Sequence, residues 1–153
     1  MAALEVSVKA LLQRVSQASV SIEGAEVARI ADGLLVFVGI EPDDNQQSAE
    51  KMLHKLLNYR VFADEQDRMN KSLTDTQGGL LLVSQFTLAA DTRSGLRPGF
   101  STAAAPAQAK ELFNQLLAMA QQRHHLVQTG EFGADMQVQL TNDGPVTFNL
   151  EVE

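Results

Sequence analysis

Two polar interruptions of otherwise apolar segments carry the residue types that could do chemistry. The first is Ser84-Gln85-Phe86-Thr87, where the run "GGLLLV" gives way to hydroxyl and amide side chains. A strand that ends this way delivers polar groups to the edge of a sheet, where they meet solvent or ligand. The second is Asn142-Asp143-Gly144-Pro145, directly ahead of a segment in which Val146, Phe148, Leu150 and Val152 fall on one face. A period of two is that of a half-buried strand. Its Gly-Pro opening reads either as an ordinary turn or as a working element in its own right, because Pro lacks a donor and Gly admits backbone angles that other residues avoid.

Other chemistries find less support. Ser84 and Thr87 are nucleophiles by type, yet there is no GxSxG elbow and no histidine in a recognisable partner motif. Walker and HExxH motifs are absent, and the acidic loop with Asp64, Glu65 and Asp67 lacks the glycine and terminal glutamate of a calcium loop. His124 and His125 are neighbours near the end of a helical segment, so their side chains point about 100° apart. With no carboxylate at a helpful spacing they suit the negative end of that helix better than a metal. His54 is read as a surface residue. No metal site and no cofactor are expected.

Length, charge and composition bound the rest. A chain of 153 residues is expected to form one domain, 1–153. With no cysteine it suits a reducing compartment, and the cytoplasm is the expected location. The N-terminal stretch carries Glu5, Lys9 and Arg14 and reads as neither signal peptide nor membrane span. A net charge of −7 argues against a general basic surface for nucleic acid, so any such contact must be local. No DNA partner and no membrane partner are expected.

The elements that must position these residues follow from periodicity. Ala10 to Ile22 is read as two short paired strands with a turn at Ser16-Gln17-Ala18-Ser19, and Glu26 to Ile30 as a third. The continuous apolar run Gly33 to Ile40 predicts a central strand covered on both faces, and Gly78 to Phe86 another. Between them, Asp44 is the expected cap of a helix whose stripe is Ala49, Met52, Leu53, Leu56 and Leu57, with Arg60 at its far edge. Residues 89–100 read as a long irregular loop. Pro106 suits the first turn of a second helix with the stripe Ala109, Leu112, Phe113, Leu116, Leu117 and Ala120. Strands at Met136 to Thr141 and Val146 to Val152 close the chain. Strands outnumber helices and do not alternate regularly with them, which predicts an α+β fold.

At "LLQRVSQASV", "GLLVFVGI", "YRVFAD", "SQFTLAADT", "RPGF", "TGEFGADM" and "NDGPVTF" the chain resembles the D-aminoacyl-tRNA deacylases, also called D-tyrosyl-tRNA deacylases. The resemblance runs from Lys9 to Val152. SQFTL combined with NxGPVT is the specific part. It implies a mostly antiparallel, barrel-like sheet with two principal amphipathic helices. It also implies a homodimeric enzyme that hydrolyses the ester between a D-amino acid, or mischarged glycine, and the 3′ end of an aminoacyl-tRNA.

The roles implied by the resemblance are specific. Gly144 and Pro145 would form a cis peptide that reaches into the partner's pocket and filters chirality with backbone carbonyls. Arg14 would brace that segment. Phe132, Gly133, Ala134 and Met136 would seat the terminal adenosine, with the ring and the thioether as a stacking surface. Ser84 and Gln85 would shape the pocket, backbone amides near Phe86 and Thr87 would hold the oxyanion, and the substrate's own 2′-hydroxyl would activate water. Arg60, Arg93 and Arg97 would supply a local basic patch at the mouth. The residues by themselves leave open a small-ester hydrolase using Ser84 or Thr87, and a non-catalytic module that binds a tRNA end. Two departures from the pattern stand out: residues 1–7 read as an extension ahead of Val8, and Gly99 stands where the family commonly has Ser.

Overall fold

The computed structural model describes residues 8–152; the expected extension at 1–7 lies outside them. The chain is α+β. Strand β1 (Lys9–Ile22) organises the sheet, because three other strands register directly against it. One side of β1 pairs antiparallel with β3 (Gly33–Gly39) along its first half and with β2 (Ala25–Ile30) along its second. The opposite side pairs antiparallel with β8 (Gln137–Glu151) along nearly its whole length.

Beyond β3 the sheet turns parallel, through β6 (Gly79–Ser84) and then β7 (Val127–Thr129). The resulting sheet is mixed and curls toward closure. A separate small hairpin joins β4 (Phe62–Ala63) to β5 (Met69–Lys71).

Both long apolar runs are central, as their composition predicts. Leu34, Val36, Leu80 and Leu82 face helices α1 (Gln46–Asn58) and α3 (Pro106–Arg123), whose stripes of Met52, Leu53, Leu56, Leu112, Phe113 and Leu116 complete that core. The alternate residues Leu35, Leu81 and Val83 pack inside the curl with Val15, Val20 and Ile30. A strand buried on both faces cannot alternate polar and apolar residues.

Several boundaries differ from the sequence expectation. Ser16 to Ser19 is no turn: β1 runs straight through it, since the stretch holds neither Gly nor Pro and both edges of β1 offer partners. The cap of α1 is Asn45, whose side chain accepts from Ser48 N–H at 3.0 Å while Ser48 Oγ accepts from Asn45 N–H at 2.9 Å. Asp44 instead accepts from Glu41 N–H and from the Ser48 hydroxyl. Helix α1 stops at Asn58, leaving Arg60 beyond it, where it donates to Asn70.

The short helix α2 (Leu73–Thr76) and strand β7 carry too few residues to show a period. His124 caps the C-terminal end of α3, as its position predicts, and is not exposed there. It is buried, and its Nε2 donates to the Gly78 carbonyl at 2.6 Å, tying α3 to the start of β6.

Candidate active site

The first polar interruption sits where β6 leaves the sheet. Ser84 is the last residue paired with β3, opposite Val38, and Gln85 N–H extends the ladder by donating to the Val38 carbonyl at 2.8 Å. The chain then folds into a 3₁₀ turn, Phe86–Ala89. Gly39 permits that turn to lie against β3: a side-chain carbon at 39 would stand 2.9 Å from Leu88 Cβ and 3.2 Å from the Gln85 carbonyl. The first N–H groups of such a turn have no partner within it, which leaves Phe86 and Thr87 N–H unused by the turn itself.

A cleft of about 460 Å³ opens beside this turn. Ser84, Gln85 and Phe86 form one wall, and Phe132, Gly133, Ala134, Asp135 and Met136 form another. The start of α3, through Pro106 and Ala109, closes the third side, and Phe37, Val83 and Val138 supply an apolar floor. The two segments named from the sequence are thus brought together although they lie about fifty residues apart. Phe37, Ala104, Pro106, Ala109 and Val138 are not marked as site residues by the sequence, because packing rather than a motif sets their place at the cleft; Asp135 lies within the TGEFGADM segment.

Thr87 stands outside these walls. It is exposed, and its hydroxyl accepts from the Gln85 side-chain amide. No histidine, lysine or arginine lines the cleft among the described residues. His124 is held at Gly78, the far end of β6, about 20 Å away by strand rise. Asp135 is the one ionisable side chain among the residues that line the cleft, and the strand end itself offers donors rather than a base.

The second polar interruption lies elsewhere on the chain. Ladder β1/β8 pairs Val15 with Asn142 and Gln13 with Thr147, so residues 143–146 of β8 bulge out opposite Arg14 alone. The Gly144–Pro145 peptide bond is cis, and both residues are exposed. Arg14 fills the gap from beneath. Its Nε donates to the Asp143 carbonyl at 2.9 Å and its Nη1 to the Val61 carbonyl at 2.7 Å. Neither Gly144 nor Pro145 forms a wall of the chain's own cleft.

The expected basic patch is weaker than its residue types suggest. Arg93 is committed to Asp91 through Nε at 2.9 Å and Nη2 at 3.0 Å, contacts that hold the Asp91 carboxyl down at about 2. Asp91 also bridges the loop to Gly99 through paired backbone hydrogen bonds of 2.7 and 2.9 Å. A side-chain carbon at Gly99 would come no closer than 3.7 Å to its neighbours, so the position has room for a larger residue.

This architecture is that of known deacylase folds. A solved structure of a probable eukaryotic D-amino acid tRNA deacylase superposes over 95% of this chain and 100% of its own with a TM-score of 0.85, at 14% identity. A c-Myc DNA unwinding element binding protein superposes with a TM-score of 0.91 at 41% identity, covering 95% of this chain and 99% of its own. The family model for D-Tyr-tRNA(Tyr) deacylase matches residues 11–151, and the chain belongs to that family. Among its relatives, D-aminoacyl-tRNA deacylases of Ectopseudomonas mendocina and Azotobacter vinelandii are 65% and 64% identical, each over 94% of this chain and 99% of the relative.

Proposed function

We propose that this protein is a D-aminoacyl-tRNA deacylase that acts on D-amino acids, and on glycine, esterified to a tRNA 3′ end. The observation that carries the reading is the pairing of a cleft built for a stacked, uncharged group with a strand end that offers amide donors and no base. Phe132 and Met136 provide surface for the terminal adenosine, Gly133 and Ala134 leave it room, and Phe86 and Thr87 N–H face the reacting carbonyl.

An aminoacyl ester is already reactive, so orientation and oxyanion stabilisation account for most of the acceleration. The ribose 2′-hydroxyl directs water at the ester carbonyl. The bond to the ribose 3′-oxygen then breaks, that oxygen takes a proton, and free amino acid and tRNA leave. Ser84 and Gln85 shape the pocket.

Chirality is read by backbone rather than by a side-chain pocket. In this reading the protein works as a homodimer in the cytoplasm, and Gly144-Pro145 of one protomer, braced by Arg14, closes the partner's cleft. Its carbonyls grip the α-ammonium of a D-residue. An L-residue would thrust its substituent into them, and a misfit against fixed polar groups rejects strongly. Because no side chain is inspected, many D-amino acids are accepted.

The test compares D-Tyr-tRNA with D-tyrosine ethyl ester. Hydrolysis of the tRNA ester alone supports the reading. Equal rates on both would favour a general esterase using Ser84 or Thr87, and binding of a tRNA end without turnover would favour a non-catalytic module.

A further inference from the structure

We propose that Asn142 is a positioning residue for the Gly144-Pro145 element, an inference that rests on the deacylase reading above. Asn142 and Thr147 are the two ladder residues that border the outward bulge, and the Asn142 side chain joins them. Its Oδ1 accepts from Val146 N–H at 2.7 Å. That donor fixes the amide orientation, which turns Nδ2 toward Thr147 Oγ1 at 2.8 Å, the Val146 carbonyl at 3.3 Å and Gln13 Oε1 at 3.3 Å.

The consequence is a clamp at both ends of a short exposed span. Arg14 holds the Asp143 carbonyl on one side, and Asn142 holds both backbone polar groups of Val146 on the other. Gly144 and Pro145 hang between two anchors, each one residue away. A recognition surface made of backbone has no side-chain rotamers to lock, so its precision depends on such supports. Asn142 reaches no substrate itself; it fixes the direction in which the carbonyls of the bulge point.

The test uses the full-length protein with Asn142→Ala and Asn142→Asp. Hydrogen exchange at the Val146 amide, single-turnover rates on D-Tyr-tRNA and L-Tyr-tRNA, and Tm are read for each. Asn142→Ala is expected to speed Val146 exchange by about tenfold or more and to lower the ratio of D to L rates by about tenfold or more, with Tm down by only a few degrees. Asn142→Asp keeps the acceptor for Val146 and is expected to retain its protection and a ratio between the two.

An unchanged D-to-L ratio in a folded Asn142→Ala protein overturns the proposal, whether or not Val146 exchanges faster. If Asn142→Ala does not fold, Thr147→Val removes the nearest acceptor and is judged on the same ratio. A wild-type protein inactive on both esters would defeat the deacylase reading instead. The exchange measurement would then decide whether Asn142 holds the segment, and unaltered Val146 protection in Asn142→Ala would overturn the clamp.

Discussion

At the scale of single residues, selectivity and rate depend on which atoms are held and which are spare. Gly144 has φ of +148°, and a side-chain carbon there would lie 2.6 Å from Val146 Cγ2 and 2.8 Å from Val146 N. Gly144→Ala must therefore displace the bulge. Since misplacement by about 1 Å costs on the order of a hundredfold in rate, that loss is expected for D-Tyr-tRNA, measured by single turnover with the fold checked by circular dichroism. Thr87 makes the opposite prediction. Its hydroxyl is tied to Gln85 and stands outside the cleft, so Thr87→Ala should keep the rate within about threefold, whereas losing a nucleophile would cost about a hundredfold or more.

At the scale of elements, local hydrogen bonding sets boundaries that the sequence shows only in part. Asn45→Ala breaks the reciprocal cap of α1 and should cost about 1 kcal/mol, a fall in Tm of about 2–4 °C by calorimetry. Asp64 folds the acidic loop by accepting from Gln66 and Arg68 N–H, and those backbone donors lower its pKa. A lowered carboxylate stabilises the folded state above the unfolded value of about 3.9, and that contribution is lost as pH falls through the lower folded value. Hydrogen exchange in β4 and β5 should accordingly quicken in that acid window, and Asp64→Asn should abolish the dependence.

The sequence made the two central strands and both amphipathic helices legible, because burial on two faces or on one stripe leaves a clear period. It misled at Ser16 to Ser19, where polar residues suggested a turn that pairing on both edges of β1 overrides. It chose Asp44 over Asn45 because both are good caps, and only the competing Glu41 N–H decides between them. Of the candidate site, Ser84 to Phe86 were readable as a polar strand end, and Phe132 to Met136 only through the family resemblance. Pro106, Ala109 and Val138 were not, since their place in the cleft is a product of tertiary packing.

At the scale of the whole molecule, a chain of net charge −7 must approach a polyanion and let it go. With Arg93 neutralised by Asp91, about two phosphate contacts remain for the 3′ end. At a slope of about 0.7 per contact on single-stranded nucleic acid, tRNA affinity should fall about sevenfold between about 50 and 200 mM salt, as measured by filter binding. The proposed exchange of Gly144-Pro145 between protomers gives a second prediction. Gly144→Ala and Ala134→Glu subunits, each inactive alone, should regain up to about a quarter of wild-type activity when mixed and refolded in equal amounts, because half the dimers then hold one intact site.

The most direct measurement is single-turnover deacylation of matched D-Tyr-tRNA and L-Tyr-tRNA by the purified protein, with and without a chelator. Rapid loss of the D-ester alone, unaffected by the chelator, is the expected result. Equal rates on the two esters, or turnover of neither, would contradict it.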